Sequence, residues 1–431
     1  MKKRYAFNLG RVYTLSLAEL FAVFEREKLA FSLVELYREV LVIETERELD
    51  CVLLQKQLGG TVKIMEVLDE LSRKKDIGPS GVFRDYFDIK LLRGKFFNPE
   101  IAGKITFGVS IYQVAREMPY LRDENKRVGL TIKKILKAAG YSARAVFPQK
   151  RALSLPSVTV TNERLLESGA EIDFLVGLDK IWLAKTLTVQ DFEDYGRRDY
   201  QRPVRNIRVG MLPPKVAQSM INLAKVPGSL KADSTRAILD PFAGSGTIIQ
   251  EAMLLGYKAI GSDANDAQIQ SAQTNLEWIR NRYSLPPGKF QIILSDIREL
   301  PGKLAKLQIT AIVTEGTLGP AYQHLPKPAE IKQNFADLEP VYLELFKSAK
   351  KILNPASLVV IALPAYRLAG SYAFFPIVDK IEKLGYDILS PLPAVLLERF
   401  DFLQVTERKS IIYDRKDQFV SREIFIFQIA D

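Results

Sequence analysis

Four acidic residues in the second half of the chain each stand where a predicted strand ends. The strands and the acids that close them are RAIL (236–239) with Asp240, KAIG (258–261) with Asp263, QIILS (291–295) with Asp296 and TAIVT (310–314) with Glu315. Helical stretches alternate with these strands, which is typical of a doubly wound parallel sheet. Because ligands of such sheets bind at the carboxyl ends of the strands, the spacing predicts one ligand surrounded by carboxylates.

The positions of these acids indicate the chemical nature of the ligand. Asp263 follows the second strand, where its carboxylate can accept hydrogen bonds from two ribose hydroxyls. Asp296 follows the third strand and can accept one from the amino group of an adenine. An acidic set of this kind suits a positively charged nucleoside, and S-adenosylmethionine is such a ligand.

A glycine-rich segment, DPFAGSGT (240–247), joins the first of these strands to its helix. Gly244 and Gly246 lack side chains where the backbone must approach a ligand closely. NAD is the competing cofactor. Its fingerprint needs a third small residue after G-x-G, and this chain continues with Thr247, Ile248 and Ile249. The segment therefore favours S-adenosylmethionine.

Composition narrows the class of protein. With 431 residues, the chain is long enough for two or three domains. One cysteine and one histidine exclude an intramolecular disulfide and a Cys/His zinc site, so we expect no metal centre. The N-terminus lacks a signal-peptide pattern and the apolar stretch 358–365 is too short to span a membrane, which predicts a cytoplasmic protein.

Positive charge is concentrated in one stretch. The net charge of the chain is +10, and residues 120–151 hold nine basic and two acidic residues. Within it Val128, Ile132, Ile135 and Leu136 predict an amphipathic helix that ends near Gly140. A solvated helix face is the plain interpretation, and contact with nucleic-acid phosphates is the favoured one. The candidate RNA-binding residues here are Lys126, Arg127, Lys133, Lys134, Lys137 and Arg144.

A second basic stretch, residues 195–215, contains several prolines and glycines and is predicted to be an irregular inter-domain linker. Its arginines, Arg202 and Arg208 among them, alternate with tyrosines. Two interpretations carry equal weight: contact with RNA, or packing of the linker through arginine–carboxylate pairs.

The N-terminal half is predicted to be mixed α and β. Ser16 and Glu19 form a capping-box pattern for a first helix. Strands are predicted at VLVIET (40–45), CVLLQKQLG (51–59) and SVTVT (157–161), and a helix at NERLLESG (162–169). Cys51 is interpreted as a small core residue.

Four segments resemble a known family, and two of them are KRVGLTIKKILKAAGYSARAV (126–146) and KTLTVQDFEDYGRRDYQRP (185–203), which resemble its RNA-binding domain. DPFAGSGT followed by Glu251 and Ala252 resembles the first motif of amino-methyltransferases with the class I fold. The stretch RDYQRPVRNIRVGMLPPKVAQSMINLA (198–224) resembles the entry to the catalytic domain of THUMP-domain tRNA guanosine-N2 methyltransferases. The resemblance implies four parts: a ferredoxin-like domain (1–80), a THUMP-like RNA-binding domain (81–192), a linker (193–212) and a Rossmann-like methyltransferase domain with a seven-stranded sheet (213–431).

The resemblance also implies roles for residues. It assigns the methionine end of the cofactor to Asp240, Phe242, Gly244 and Gly246, the ribose to Asp263 and the adenine to Asp296, with Ala243, Thr247, Ala264 and Ile297 as neighbouring contacts. It implies an RNA partner, with tRNA favoured, and no membrane. An accessory protein is left open, and the sequence carries no clear signal for an oligomer.

The chain departs from the family at the catalytic motif D/N-P-P-Y/F. Residues 314–320 are TEGTLGP, so Glu315 keeps an acid while the double proline and the aromatic residue are missing. Tyr322 is a candidate for stacking on a flipped base, and His324 is interpreted as a surface loop residue. The leading hypothesis is methylation of guanine N2 in tRNA. The alternatives are a catalytically silent RNA-binding protein, a DNA or ribosomal RNA amino-methyltransferase, and an NAD-linked enzyme.

Overall fold

The computed structural model describes residues 2–74, 76–97, 103–149, 152–205, 211–227, 236–320, 322, 324–415 and 418–430. The chain divides into two compact units. Unit 1 comprises Met1–Tyr13 and Leu29–Phe192, and unit 2 comprises Thr14–Lys28 and Glu193–Asp431. In the described part of the chain, no helix combines the length and the apolar character needed to cross a membrane.

The elements up to residue 189 are, in chain order, β1 (Lys3–Leu9), α1 (Tyr13–Arg26), β2 (Ser32–Tyr37), β3 (Val40–Thr45), α2 (Cys51–Gln57), β4 (Thr61–Ser72), α3 (Pro79–Val82), α4 (Ile89–Leu91), a π-helical turn (Leu92–Phe96), β5 (Ile105–Gln113), a 3-10 turn (Pro119–Asp123), α5 (Glu124–Ala138), β6 (Ala143–Val146), α6 (Ser157–Asn162), β7 (Gly169–Val176) and β8 (Lys180–Val189). The elements that follow are α7 (Phe192–Tyr200), α8 (Pro214–Leu223), β9 (Ala237–Asp240), α9 (Thr247–Leu254), β10 (Lys258–Asp263), α10 (Asp266–Arg282), β11 (Phe290–Leu294), α11 (Leu300–Leu304), β12 (Ile309–Glu315), α12 (Pro328–Ile352), β13 (Leu358–Arg367), β14 (Tyr372–Phe374), α13 (Val378–Lys383), β15 (Tyr386–Leu389), α14 (Ala394–Arg399), β16 (Ile411–Tyr413) and β17 (Val420–Ile429).

Unit 1 is built on one sheet with the strand order β2-β3-β1-β4-β8-β7-β5-β6 among the described residues. Strands β4 and β8 pair antiparallel along most of their length, from Lys63 opposite Val189 to Ser72 opposite Lys180. Strand β4 falls in the predicted ferredoxin-like domain (1–80) and β8 in the predicted THUMP-like domain (81–192), and this pairing joins them. The two predicted modules therefore share a single sheet.

The amphipathic helix predicted from the basic stretch is confirmed as α5. Val128, Ile132 and Leu136 are buried against the core of unit 1, and Ile135 is half-buried beside them. The helix ends at Ala138, and Gly140 follows it with a φ of +85°. Because left-handed backbone is costly for residues with a side chain, a glycine suits this end of the helix.

Two local predictions in unit 1 are wrong. Residues 51–57, predicted as a strand, form α2, because the Asp50 side chain accepts a hydrogen bond from the Leu53 amide (2.9 Å) and caps the helix. Residues 157–161, also predicted as a strand, begin α6 directly after Pro156, and the helix predicted at 162–169 is mostly turns. Cys51 is buried, as predicted, and burial raises the pKa of its thiol to about 12.

The capping box predicted at Ser16 and Glu19 is also wrong. Helix α1 begins three residues earlier, at Tyr13, and both side chains are buried within it. The segment Thr14–Lys28, which contains most of α1, belongs to unit 2, where Asn222 on α8 donates a hydrogen bond to Glu19 Oε1 (2.8 Å). Glu19 is thus a buried packing partner of α8.

Unit 2 contains the predicted doubly wound sheet, whose main path in the described residues runs β11-β10-β9-β12-β13-β17-β15. Strands β9 to β13 are parallel to their neighbours, and β17 runs antiparallel between β13 and β15. Two short strands, β14 and β16, pair with β13 and β17. The strand order reverses between β9 and β12, which is where such sheets bind ligands.

Candidate active site

The segment from β9 to α9 forms a tight loop at the point where the strand order reverses. Gly244 and Gly246 have φ values of +51° and +88°, and Gly246 is the N-cap residue that precedes α9. The Gly246 amide donates to the Ala243 carbonyl (2.8 Å), which closes the turn. Both glycines are required by the backbone conformation itself.

A cavity of about 430 Å³ opens beside this loop. Three of the four predicted carboxylates line it together: Asp240, Asp263 and Glu315. The other lining residues are Met211, Leu212, Phe242, Ala243, Gly244, Ser245, Thr247, Ile248, Asn265, Gln268, Gly316, Thr317, Leu318 and Gly319. No lysine or arginine is among these described residues, so the wall of the cavity is acidic.

Asp263 is held in place by backbone amides. Its Oδ2 accepts from Gly244 (3.0 Å) and its Oδ1 accepts from Asn265 (2.9 Å). Each carboxylate oxygen has two lone pairs, so both oxygens keep acceptor capacity for a ligand. This carboxylate couples the end of β10 to the glycine loop.

Asp240 is nearly inaccessible, with 2% of its surface exposed. Its Oδ1 accepts hydrogen bonds from the Thr314 hydroxyl (2.6 Å) and from the Phe242 amide (3.2 Å). Burial raises the pKa of Asp240 to about 7, and the nearby carboxylates of Asp263 and Glu315 add to this effect. Asp240 therefore titrates near neutral pH.

Glu315 is paired with an arginine that the sequence analysis did not identify. Nη2 of Arg422, on β17, donates to Glu315 Oε1 (3.1 Å), and Nε of Arg422 donates to Oε2. Arg422 is 1% exposed and also donates to Gln418 Oε1 (3.2 Å). It lies 107 residues after Glu315 and within no recognised motif, so only the pairing of β13 with β17 brings it to this site.

The loop that replaces D-P-P-Y is fixed by side chains from α12. The Tyr342 hydroxyl donates to the Thr317 carbonyl (2.9 Å), and Asn334 Nδ2 donates to the Leu318 carbonyl (3.3 Å). Gly319 has a φ of +97°, and a Cβ atom there would come within 2.2 Å of Asn334 Oδ1. The sequence TLG therefore forms a defined wall of the cavity.

Tyr322, the candidate for stacking on a flipped base, is not among the described residues that line the cavity. It is half-buried, and its ring packs edge-on against Tyr366 with the centroids 5.9 Å apart. His324 is exposed, as expected for a loop residue.

Four predicted cofactor contacts are not among the described residues that line the cavity: Gly246, Ala264, Asp296 and Ile297. Asp296 accepts three hydrogen bonds from Arg298, one from its amide (2.9 Å) and two from its guanidinium (2.8 Å each). These bonds lower the pKa of Asp296 to about 2. Ala264 is exposed, and Ile297 packs against the core of unit 2. The pairing of Asp296 with Arg298, two residues later, competes with the predicted contact between Asp296 and the adenine.

Arg202, predicted to touch RNA, is buried instead, with 3% of its surface exposed. Its Nη1 donates to the Thr247 hydroxyl (2.8 Å) at the start of α9. Residues 195–200, predicted as irregular linker, belong to α7 (Phe192–Tyr200), and Arg198 on that helix pairs with the buried Glu251. Of the two interpretations of this stretch, packing through arginine–carboxylate pairs describes Arg198, whereas Arg208 lies outside the described residues.

Met211 and Leu212 are two of the cavity residues that the sequence analysis did not identify, and neither carries a polar side chain. Met211 and Leu212 stand just before Pro213 and α8, and both line the cavity. A signal was present in the sequence: an apolar pair followed by two prolines, directly ahead of a buried helix. In the same region Asn275 donates to the Ser245 carbonyl (3.0 Å) and to that of Val204 (3.0 Å), which ties the glycine loop to the preceding segment.

The basic face of unit 1 is largely open to solvent. Lys126, Arg127, Lys134 and Lys137 are exposed and Lys133 is half-buried, all on α5. Two of the predicted RNA-binding arginines form ion pairs within unit 1. Arg127 pairs with Glu124 (3.0 Å), and Arg144 forms a bidentate pair with Glu163 (2.6 and 2.8 Å). Lys150 and Arg151 lie outside the described residues. The lysines of α5 are thus the cations best placed to meet phosphates.

The cavity suits the predicted cofactor chemically. Its volume lies within the range of small-molecule sites, and its wall holds three carboxyl groups and no lysine or arginine among the described lining residues, which suits a ligand that is cationic or donates hydrogen bonds. Asp263 is positioned by two backbone amides, and Gly244 lines the cavity with no side chain between its backbone and a ligand. These residues fit a positively charged nucleoside such as S-adenosylmethionine.

The strand order and the site together define the class. Unit 2 has a Rossmann-like, class I methyltransferase fold. A family model described as DNA methylase matches residues 176–274. The glycine loop, Asp240 and Asp263 all lie inside this match.

Relatives narrow the similarity further. The chain is 30% identical to the tRNA (guanine(10)-N2)-dimethyltransferase of Methanothermobacter thermautotrophicus over 189 residues, which cover 44% of this chain and 48% of the relative. It is 38% identical to the protein of the same name from Pyrococcus abyssi over 82 residues, 19% of this chain and 21% of the relative. The matched segments thus span about half or less of these relatives. These matches confirm the predicted resemblance to tRNA guanine-N2 methyltransferases.

One solved structure is similar over the whole chain. TrmN from Thermus thermophilus matches with a TM-score of 0.54 and 16% identity, covering 100% of both chains. At this identity the likeness concerns the fold alone.

Proposed function

We propose that this chain is an S-adenosylmethionine-dependent RNA methyltransferase that methylates the exocyclic N2 amine of a guanosine in tRNA. The acidic cavity at the carboxyl ends of β9, β10 and β12 carries this proposal, because it combines a glycine loop with Asp263 and Glu315. Similarity to tRNA (guanine(10)-N2)-dimethyltransferases supports tRNA as the substrate and guanine 10 as the target.

In this proposal the residues of the cavity bind and orient. Asp263 accepts from the ribose of the cofactor, and the glycine loop with Asp240 and Phe242 holds its methionine end. S-adenosylmethionine supplies, when bound, a methyl group already activated by a sulfonium. Because the methyl group is activated, the chain needs no strong base, and placing the amine in line supplies much of the acceleration. Glu315 accepts a hydrogen bond from the target amine.

We assign RNA binding to unit 1. Its single sheet would combine the ferredoxin-like module (1–80) and the THUMP-like module (81–192), with residues 193–212 leading to the catalytic module (213–431). The exposed lysines of α5 would contact phosphates, and each such contact releases counterions and makes binding salt-dependent. A tRNA substrate also favours a cytoplasmic location.

The test is transfer of radiolabelled methyl groups from S-adenosylmethionine to tRNA, followed by nucleoside analysis. An unmodified tRNA transcript with guanosine at position 10 is compared with one carrying adenosine there. We expect label in N2-methylguanosine or N2,N2-dimethylguanosine from the first transcript only. Label in both transcripts would move the target to another nucleotide, whereas label in ribosomal RNA or DNA alone would replace the substrate.

A second function, an RNA-binding protein without catalysis, is favoured by one observation. The D-P-P-Y motif is replaced by TEGTLGP, and Tyr322 packs away from the cavity. Binding of both S-adenosylmethionine and tRNA with no methyl transfer to any nucleic acid would establish this alternative.

A further inference from the structure

The ion pair between Glu315 and Arg422 stands where the related enzymes carry their catalytic motif. Glu315 lines the cavity, and its side chain is only 14% exposed. Arg422 lies behind it, essentially inaccessible, and does not line the cavity. Arg422 therefore acts on the contents of the cavity only through Glu315.

The geometry of this pair limits what Glu315 can do. The guanidinium engages both carboxylate oxygens, through Nε and Nη2, which is the fork arrangement that fixes orientation as well as distance. A carboxylate has about four lone-pair sites, so two remain for other donors. Glu315 is thereby held in one orientation with acceptor capacity to spare.

The anchoring continues beyond the pair. Gln418 Oε1 accepts a hydrogen bond from Arg422 Nη1 (3.2 Å). Strand β17 pairs with β13, and in this pairing Arg422 lies opposite Pro364. On the other side of Glu315, Thr314 bonds to Asp240 (2.6 Å). The end of β12 is thus fixed from two sides, one residue after another.

We propose that Arg422 is a positioning residue that orients Glu315 to accept a hydrogen bond from the exocyclic amine of the target base. This inference rests on the proposed methyltransferase function. In D-P-P-Y enzymes the motif's own backbone and prolines orient the amine, as the resemblance implies. TEGTLGP (314–320) lacks both prolines at those positions. In this chain the ion pair between Arg422 and Glu315 therefore fixes the orientation of the acceptor.

The test is Arg422→Lys, which keeps the charge and removes the fork. We expect kcat for tRNA methylation to fall at least about tenfold, since small misplacements of a reacting group are costly. The dissociation constant for S-adenosylmethionine should stay within about twofold, because Arg422 does not line the cavity. A purely structural ion pair would instead lower the melting temperature and leave kcat of the folded protein unchanged.

Arg408→Lys is the matched control. Arg408 pairs with Glu423 (3.3 Å), which is buried in the same strand and lies outside the cavity. We expect this variant to lose stability to a similar extent and to keep its kcat. Equal losses of kcat in both variants would overturn the inference.

A double variant covers the case in which Arg422→Lys does not fold. Glu315→Gln with Arg422→Met removes both charges, which leaves no unpaired ion in the interior. If Arg422 acts only through Glu315, this double variant turns over no more slowly than Glu315→Gln alone. A further tenfold loss would refute the proposal. Should the unaltered protein methylate no nucleic acid, the proposed function fails and this inference fails with it, an outcome distinct from an active protein whose Arg422→Lys variant is unimpaired.

Discussion

Asp240 makes the stability of unit 2 depend on pH in a way that one substitution can remove. Burial raises the pKa of this carboxyl from 3.8 to about 7 in the folded chain. Between these two values the folded state holds a proton that the unfolded state has lost. Stability therefore falls as the pH rises through this window and is constant above it.

The size of the effect follows from the same values. Each pH unit between the unfolded and folded pKa is worth about 1.4 kcal/mol, so raising the pH from 5.5 to 8 costs about 2 kcal/mol through Asp240. Asp240→Asn removes this cost, because an amide oxygen can still accept from Thr314 and from the Phe242 amide. The free energy of unfolding of the variant is thus expected to rise relative to that of the unaltered protein as the pH rises.

The chain offers a local probe for the assay. It has two tryptophans, Trp182 in unit 1 and Trp278 in unit 2. In a Trp182→Phe background, urea unfolding followed by Trp278 fluorescence at pH 5.5, 6.5, 7.5 and 8.5 monitors unit 2. Glu423→Gln is the matched control, since burial also raises the pKa of Glu423 to about 7. Each variant should remove part of the loss, and the double variant more than either alone; Glu251, whose pKa burial also raises, contributes to the remainder.

One result would refute the reasoning. If Asp240→Asn loses as much stability between pH 5.5 and pH 8 as its Trp182→Phe parent, Asp240 is ionised across this range in the folded protein. Its hydrogen bonds with Thr314 and Phe242 would then outweigh its burial.

Three further predictions concern binding and turnover. Changing Lys133, Lys134 and Lys137 together to Ala should weaken tRNA binding and reduce the slope of log Kd against log salt by up to about 2–3; an unaltered slope in filter binding would show that this face of α5 meets solvent only. Asp263→Ala should weaken S-adenosylmethionine binding at least about tenfold in calorimetry, because the ribose loses a charged acceptor and Gly244 loses its partner; unchanged affinity would remove the ribose assignment. Glu315→Gln should lower methyl transfer by about 100-fold or more while cofactor affinity stays nearly intact; full residual turnover would exclude Glu315 from the site.

Features that depend on neighbouring residues were predicted correctly from the sequence. The strands of unit 2 and the acids at their ends followed from alternation and spacing, and three of those acids, Asp240, Asp263 and Glu315, do meet in one cavity. Helix α5 followed from its apolar period. Short apolar stretches were the weak point: residues 51–57 and 157–161 suit either a strand or a helix, and a capping aspartate or a preceding proline decided between them.

Side-chain roles were harder to predict because burial and pairing depend on residues far away in the chain. Asp296 bonds to its neighbour Arg298, and Tyr322 packs against Tyr366. Arg202 belongs to a basic stretch that looks exposed in the sequence, yet it supports α9 through Thr247. Nothing in a local pattern states which member of a charged stretch will find a buried partner.

The sequence by itself determined the doubly wound sheet, the glycine loop and the acidic edge, because these arise from periodicity and from residues close together in the chain. Only the tertiary structure decided that α1 joins unit 2 and that Arg422 holds Glu315 across 107 residues. The physical reason is that sheet pairing sets long-range neighbours. Such pairing follows from the burial of whole strands, and a one-dimensional pattern does not encode which side chains then meet.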